Sequence, residues 1–247
     1  MSYYYNAVTL LASIRSDKTN EARFSCMDNR GREFTYQGSV IKVDDITKMI
    51  NDLADRYHTQ MRTHSFFGKP VPESLALQVH IDQIVDNLQN TQSGYSFLDD
   101  PRNPFQGYRS AYGEWLLSDP ERADHFCYIH DDQIIWKSRP CLDILHQMQE
   151  MHQILLLLCI FTAGPSSRAS EVTCQLLRNV PGSLRNLLVL FHILCIQDKT
   201  SHKHLRDKYV PHCPTDSVSA LLVYNLAIFR PFEEYLVQVL LGEKHGL

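Results

Sequence analysis

No run of this sequence is long enough to cross a bilayer as a helix. The longest apolar stretch, Ile154 to Phe161, has eight residues, against the roughly 20 that a spanning helix needs, so it reads as a buried helical segment. The N-terminus, opening Met1-Ser2-Tyr3-Tyr4-Tyr5, lacks a basic region followed by an apolar one, so no secretory leader is expected. The seven cysteines are odd in number, scattered and never spaced as CxxC. A disulfide framework is therefore not expected in a chain of this size, and a reducing, intracellular compartment is favoured. Cys127, Cys159, Cys174 and Cys195 have mostly apolar neighbours, which suits thiols used as small buried hydrophobes.

Several catalytic signatures are missing as well. Nothing resembles a Gly-rich phosphate cradle, a Ser-His-Asp set or a paired-carboxylate site, so no cofactor is expected. His202, His204, His212 and Cys213 could supply soft metal ligands. No CxxC or His-x3-His spacing accompanies them, and in a polar loop they read as solvated histidines, with no metal. A strong net charge is also lacking: the total is −4. Its distribution is less even. Between Ala163 and Cys213 the cations Arg168, Arg178, Arg185, Lys199, Lys203, Arg206 and Lys208 outnumber Glu171, Asp198 and Asp207 by four. That stretch fits a phosphate-facing patch, or a solvated loop face.

What remains is an ordinary globular composition, 44% hydrophobic and 21% charged over 247 residues, enough for one large core or two smaller ones. Residues 22–38 alternate apolar and polar around the turn-rich Asp28–Gly31, which predicts a hairpin. From Asp44, apolar residues at Ile46, Met49, Ile50, Leu53, Ala54 and Tyr57 follow a 3.6-residue period, with Asp44 or Asp45 as cap. Phe66–Pro70 breaks that helix. Residues 72–89 form a helix or a mixed segment. Gly94–Phe105, with two prolines and three aromatics, reads as an ordered loop. Helices are expected over 107–117 and 138–162, the second ending at Gly164-Pro165 and a new one restarting near Ser166 or Ser167. Pro181-Gly182-Ser183 makes a turn. Asn186–Phe191, Ile193–Gln197 and Tyr209–His212 are short strands, and a last helix starts at Thr215 or Asp216, bent near Pro231. The fold class is mainly α with small β-sheet elements, α+β. The expected division is 1–135, a helical part with a hairpin, and 138–247. The stripe of Phe105, Tyr108, Tyr112 and Trp115 reads as core rather than as a base-stacking platform.

The last third carries a recognisable order. Thr162-Ala163-Gly164-Pro165-Ser166-Ser167-Arg168, followed by Glu171, resembles the first box of tyrosine recombinases, where a Thr-Gly turn precedes Arg-x-x-Glu. Lys199, in Asp198-Lys199-Thr200, sits where that family places a lysine on the following β-turn. More narrowly, Gly94–Phe105, Ala163–Glu171, Lys199-Thr200 and Arg230-Pro231-Phe232 resemble a fungal recombinase-like family of Crypton-type mobile elements and telomere-linked helicases. The likeness covers about residues 20–236.

The resemblance implies an incomplete recombinase-like catalytic domain over 138–247, with Arg168 on the scissile phosphate, Glu171 orienting it and Lys199 assisting the leaving hydroxyl. An arginine fork grips two phosphate oxygens in a fixed geometry, and a lysine can donate a proton once burial lowers its pKa. Lys203, Arg206 and Lys208 would add phosphate contacts, with duplex DNA as the partner and a nuclear location. The same residues also suit an i, i+3 surface pair at Arg168–Glu171 and an ordinary turn lysine. The family next requires His-x-x-Arg and a tyrosine nucleophile. None of the twelve histidines has an arginine three residues on, and Tyr224 and Tyr235 lie too early. Cleavage by these residues alone is not expected. The alternative is a protein-interaction module that kept the fold and lost DNA binding, joining a partner or a second copy through Leu236, Val239, Leu240 and Leu241, with no membrane involved.

Overall fold

A computed structural model describes residues 24–26, 32–36, 39–131, 133–164, 176–190, 193–200 and 208–242, with the backbone alone at 24–26, 36, 197–200 and 208–210. The chain divides into two compact units, Met1–Leu53 and Ala54–Leu247. Its architecture is α+β, helices with, among the described residues, three small antiparallel sheets. No described helix is long and apolar enough to cross a membrane.

In the first unit, β1 (Phe24–Cys26), β2 (Glu33–Tyr36) and β3 (Ser39–Lys42) form an antiparallel meander. Phe24 pairs with Tyr36 as the expected hairpin requires, and Glu33 pairs with Lys42 on the strand that the alternation had not revealed. The opposite charges of that rung meet at 3.2 Å. Helix α1 (Val43–Gln60) follows directly, with Asp44 and Asp45 in its first turn, where the helix dipole favours them.

The second unit is built around α4 (Ser138–Thr162), which buries Cys141, Ile144, Met148, Met151, Ile154, Leu155, Leu158 and Cys159. Those positions recur every three or four residues and trace one face of the helix. Each large side chain removed from water contributes about 1.5–3 kcal/mol. The helix ends at Gly164, whose φ of 88° no β-carbon-bearing residue adopts easily. Residues 72–89 resolve into two single 3-10 turns, Glu73–Leu75 and Ile81–Gln83, in otherwise extended chain. Between them and α4 lie α2 (Ala111–Leu117), α3 (Pro120–Phe126) and the hairpin β4 (Cys127–His130)–β5 (Gln133–Trp136).

The last helix runs as α5 (Asp216–Tyr224), a π turn over Asn225–Phe229, and α6 (Arg230–Leu241). The expected bend at Pro231 takes this form. Proline cannot donate to the carbonyl one turn back, and the ladder widens just before it, with Arg230 N–H bonding Asn225 O instead. A second π turn, Met61–Ser65, ends the helical run of α1, and there Phe66 N–H reaches Met61 O at 3.2 Å.

These two wide turns meet in an aromatic core. Tyr112 lies 5.1 Å, ring to ring, from both Phe229 and Phe232, and 6.3 Å from Phe66. Its hydroxyl donates to Ser65 O at 2.8 Å. Of the aromatic stripe, Phe105 and Tyr112 are core, while Tyr108 and Trp115 are half-buried, Trp115 packing on Phe66. A β-carbon on Gly113 would stand 3.3 Å from the Phe232 ring, so that position keeps α2 close to α6.

Candidate nucleic-acid interface

The three expected strands form one antiparallel meander, β6 (Leu187–Leu190), β7 (Ile193–Thr200) and β8 (Lys208–His212). In β6 buried and half-buried residues alternate, with Leu187 and Val189 inward. Register pairs Lys199 with Tyr209 and Thr200 with Lys208. Lys199 and Lys208 therefore stand at the open end of the β7–β8 ladder. Lys203 and Arg206, in 201–207, and Arg168 and Glu171, in 165–175, lie outside the described residues. Four cations and one acid fall between Lys199 and Lys208, with two histidines.

Two of the cations grouped with this patch by sequence are engaged elsewhere. Arg185 is buried and forms an ion pair with Asp86, both side chains almost wholly removed from water. Its guanidinium also donates to Asn179 Oδ1 at 3.3 Å and lies 4.6 Å over the Tyr95 ring. Arg178 bonds the carboxylate of Asp99 and donates to Gly94 O at 3.1 Å. Neither is free to face phosphate.

What these arginines do instead is position the sheet. Asp86 accepts from Arg185 through one oxygen and from Val189 N, in β6, at 3.0 Å through the other. Asn179 donates to Asn90 O at 2.8 Å and Gln92 O at 3.1 Å, while its backbone exchanges bonds with Gly94 and Tyr95. Asn103 spans the loop from Val85 to Phe97, donating to both carbonyls at 2.8 Å and accepting from Val85 N. Asp100 takes two bonds from Arg102, at 2.8 and 2.7 Å, which hold its carboxyl down at about 2. The Gly94–Phe105 stretch is thus an ordered strap, and it ties the segment leading into β6 to the rest of the unit. Asp86 drew no notice in the sequence because its partner is 99 residues away.

Two further features stand near the sheet or the core. Beyond the last rung, Ile196 with His212, the sulfurs of Cys195 and Cys213 lie 3.2 Å apart. In the core, His152 Nε2 lies 2.8 Å from Asn225 Oδ1 and 3.3 Å from Glu233 Oε1. Asn225 gives its amide to the Tyr57 hydroxyl, so its oxygen faces His152 and takes the imidazole proton. Glu233 Oε1 is left without a hydrogen bond, and burial pushes this carboxyl up to about 7 despite Arg230 beside it. Burial pushes His152 downward. Tyr224 and Tyr235 serve packing: Tyr224 donates to Leu75 O at 3.0 Å, and Tyr235 accepts from Trp136 Nε1 at 3.0 Å.

An open groove of about 470 Å³ runs between α2, β5 and α6, walled by Trp136, Phe232 and Tyr235 with Glu114, Glu234 and Arg109 at its margins. Of the C-terminal apolar residues expected to offer a contact surface, Leu236 is buried in the core, whereas Val239 and Leu241 are exposed.

Comparison with family models, with curated proteins and with solved structures returns no match to this chain.

Proposed function

We propose that this is a duplex-DNA-binding protein derived from a tyrosine recombinase, acting in the nucleus, whose 247 residues grip phosphate without carrying out strand cleavage. The observation that carries the reading is the β7–β8 hairpin. Register brings the backbones of Lys199 and Lys208 to the open end of that ladder, and Lys203 and Arg206 fall between them in sequence. It follows a long buried helix and the Arg168–Glu171 box in the order that the resemblance implies. A phosphate site needs little more than positioned cations, because the electrostatic part of binding is independent of base sequence. With neither a second arginine box nor a nucleophile among these residues, the covalent step forms no part of the reading.

The test is fluorescence anisotropy with a short duplex at two salt concentrations. Affinity that falls steeply with salt, and is lowered by Arg168→Ala and by Lys203→Ala, is the expected result. Equal affinity for the wild type and both variants, or no binding at low salt, would remove the proposal.

A second reading, an interaction module, is favoured by the β4–β5 hairpin. Tyr128, Ile129, Ile134 and Ile135 are 60%, 67%, 43% and 52% exposed, an unusual concentration of apolar surface on one short ribbon. Self-association that Ile129→Thr with Ile135→Thr abolishes would support it.

A further inference from the structure

Cys195 and Cys213 occupy the rung that would follow Ile196–His212 in the β7–β8 ladder. Their sulfurs, 3.2 Å apart, need to close to about 2 Å to become bonded. The two thiols differ in access: Cys195 is 4% exposed and Cys213 half-buried. The remaining described thiols are placed differently. Cys127 points its sulfur at Ala123 O, 3.2 Å away, and Cys141 at Phe126 O, 3.8 Å away. Burial pushes Cys141 up to about 11 and Cys159 up to about 12, which leaves them as unreactive thiols.

We propose that Cys195 and Cys213 form an oxidisable pair, which a hydroperoxide converts into a disulfide stapling the base of the β7–β8 hairpin. Cys213, the accessible thiol, attacks as its thiolate. Its sulfur bonds one peroxide oxygen, the O–O bond breaks, and hydroxide leaves and takes up a proton as water. Cys213 is then a sulfenic acid. The Cys195 sulfur attacks the Cys213 sulfur, the S–O bond breaks, and hydroxide departs with the Cys195 proton as a second water. Two thiols give up two electrons and two hydrogens, and one hydrogen peroxide becomes two waters. Cys195 is suited to the second step rather than the first, since burial and its neighbouring thiol hold it protonated until the sulfenic acid forms beside it. The bridge lies beyond the Ile196–His212 rung, so oxidation ties β7 to β8 at the end of the ladder opposite Thr200–Lys208. In a reducing compartment such a bond is transient and reports oxidant rather than holding the fold.

The experiment treats the full chain with hydrogen peroxide at near-stoichiometric dose, blocks remaining thiols with N-ethylmaleimide, and maps the peptides without reduction. The expected result, before the maleimide is added, is a mass loss of about 2 Da in the intact chain. One cross-linked peptide pair, Cys195 with Cys213, should appear, and dithiothreitol should release it. Cys213→Ser, at the more accessible position, should abolish the link. Cys195→Ser should leave Cys213 as a sulfenic acid that dimedone traps. A different pair bridging first, or both thiols staying open to the maleimide while others oxidise, would overturn the proposal. Should Cys195→Ser fail to fold, the wild-type map and Cys213→Ser decide it.

Discussion

Two of the described hairpins of the larger unit, β4–β5 and β7–β8, are both antiparallel ladders and differ in the residues they carry. At β4–β5 the first rung, Cys127 with Trp136, is buried, and beyond it both faces carry exposed apolar residues. Lys137 lies 4.2 Å over the Tyr128 ring. At β7–β8 the base is buried at Leu194 and Cys195, and the sequence between the two strands carries Lys203, Arg206 and two histidines. A ribbon whose outer half buries nothing gains little from folding, so its side chains are set by what they meet in solution. The exposed β4–β5 ribbon suits apolar contact, the proposed phosphate site lies with β7–β8, and substitutions can separate the two.

The largest effect is expected where the basic hairpin is anchored. Asp86→Ala leaves the Arg185 guanidinium buried without its carboxylate and frees Val189 N, so a loss of about 3–5 kcal/mol is expected in urea unfolding. A loss under about 1 kcal/mol would mean that the strap does not hold the sheet.

Next comes Glu233. Its folded pKa is raised from 4.5 to about 7, so its contribution is fully present below pH 4.5 and is lost as pH rises through 7. His152 acts in the opposite sense. Its folded pKa is lowered, so its contribution is present above pH 6.5 and is lost as pH falls. Glu233→Gln should remove the alkaline decline, a difference on the order of 3 kcal/mol between pH 4 and pH 8, read from thermal or urea melts across that range. An unchanged profile would place the decline in other groups.

Arg178→Ala gives up one partly exposed ion pair with Asp99, and a cost of about 1 kcal/mol is expected. The smallest effects on stability fall at the hairpin ends. Ile129→Thr with Ile135→Thr, and separately Lys203→Ala, should each stay within about 0.5 kcal/mol of wild type. Their value is in binding: the first pair should lower self-association seen by light scattering and leave duplex affinity intact, and the second should do the reverse. If either variant moves both readouts, the two surfaces are not separable.

Much of the framework was legible from local pattern. The 3.6-residue period of α1, the helix over 138–162 with its Gly164 break and the three short strands β6–β8 appear near the expected places, because each depends on neighbours a few residues away. The strand β7 runs on to Thr200 rather than ending at Gln197, so Lys199 stands in a ladder with Tyr209 and not on the expected turn. The strand β3 and the β4–β5 hairpin were not read. In β4–β5 the apolar residues Tyr128, Ile129, Ile134 and Ile135 sit on both faces, so the period-2 signal of a half-buried strand is missing. The segment 72–89 offered apolar residues without period and folded as single 3-10 turns. At the site, local sequence gave the strands and the cluster of cations, and it overcounted the positive surface. Arg178 and Arg185 look like their neighbours in composition, and only their distance to Asp99 and Asp86 separates them.

The sequence by itself determined the α+β class, the long helix over 138–162 and the three short strands after it, since apolar patterning and turn residues are properties of contiguous chain. Only the tertiary structure decided which charges face outward, which thiols meet and how Pro231 is absorbed. Those outcomes depend on residues tens of positions apart: Asp86 with Arg185, Cys195 with Cys213, and the wide turn at Asn225–Phe229 packing its aromatic against Tyr112. Burial turns such meetings into ion pairs, paired sulfurs and raised carboxyls, and burial is a property of the folded chain alone.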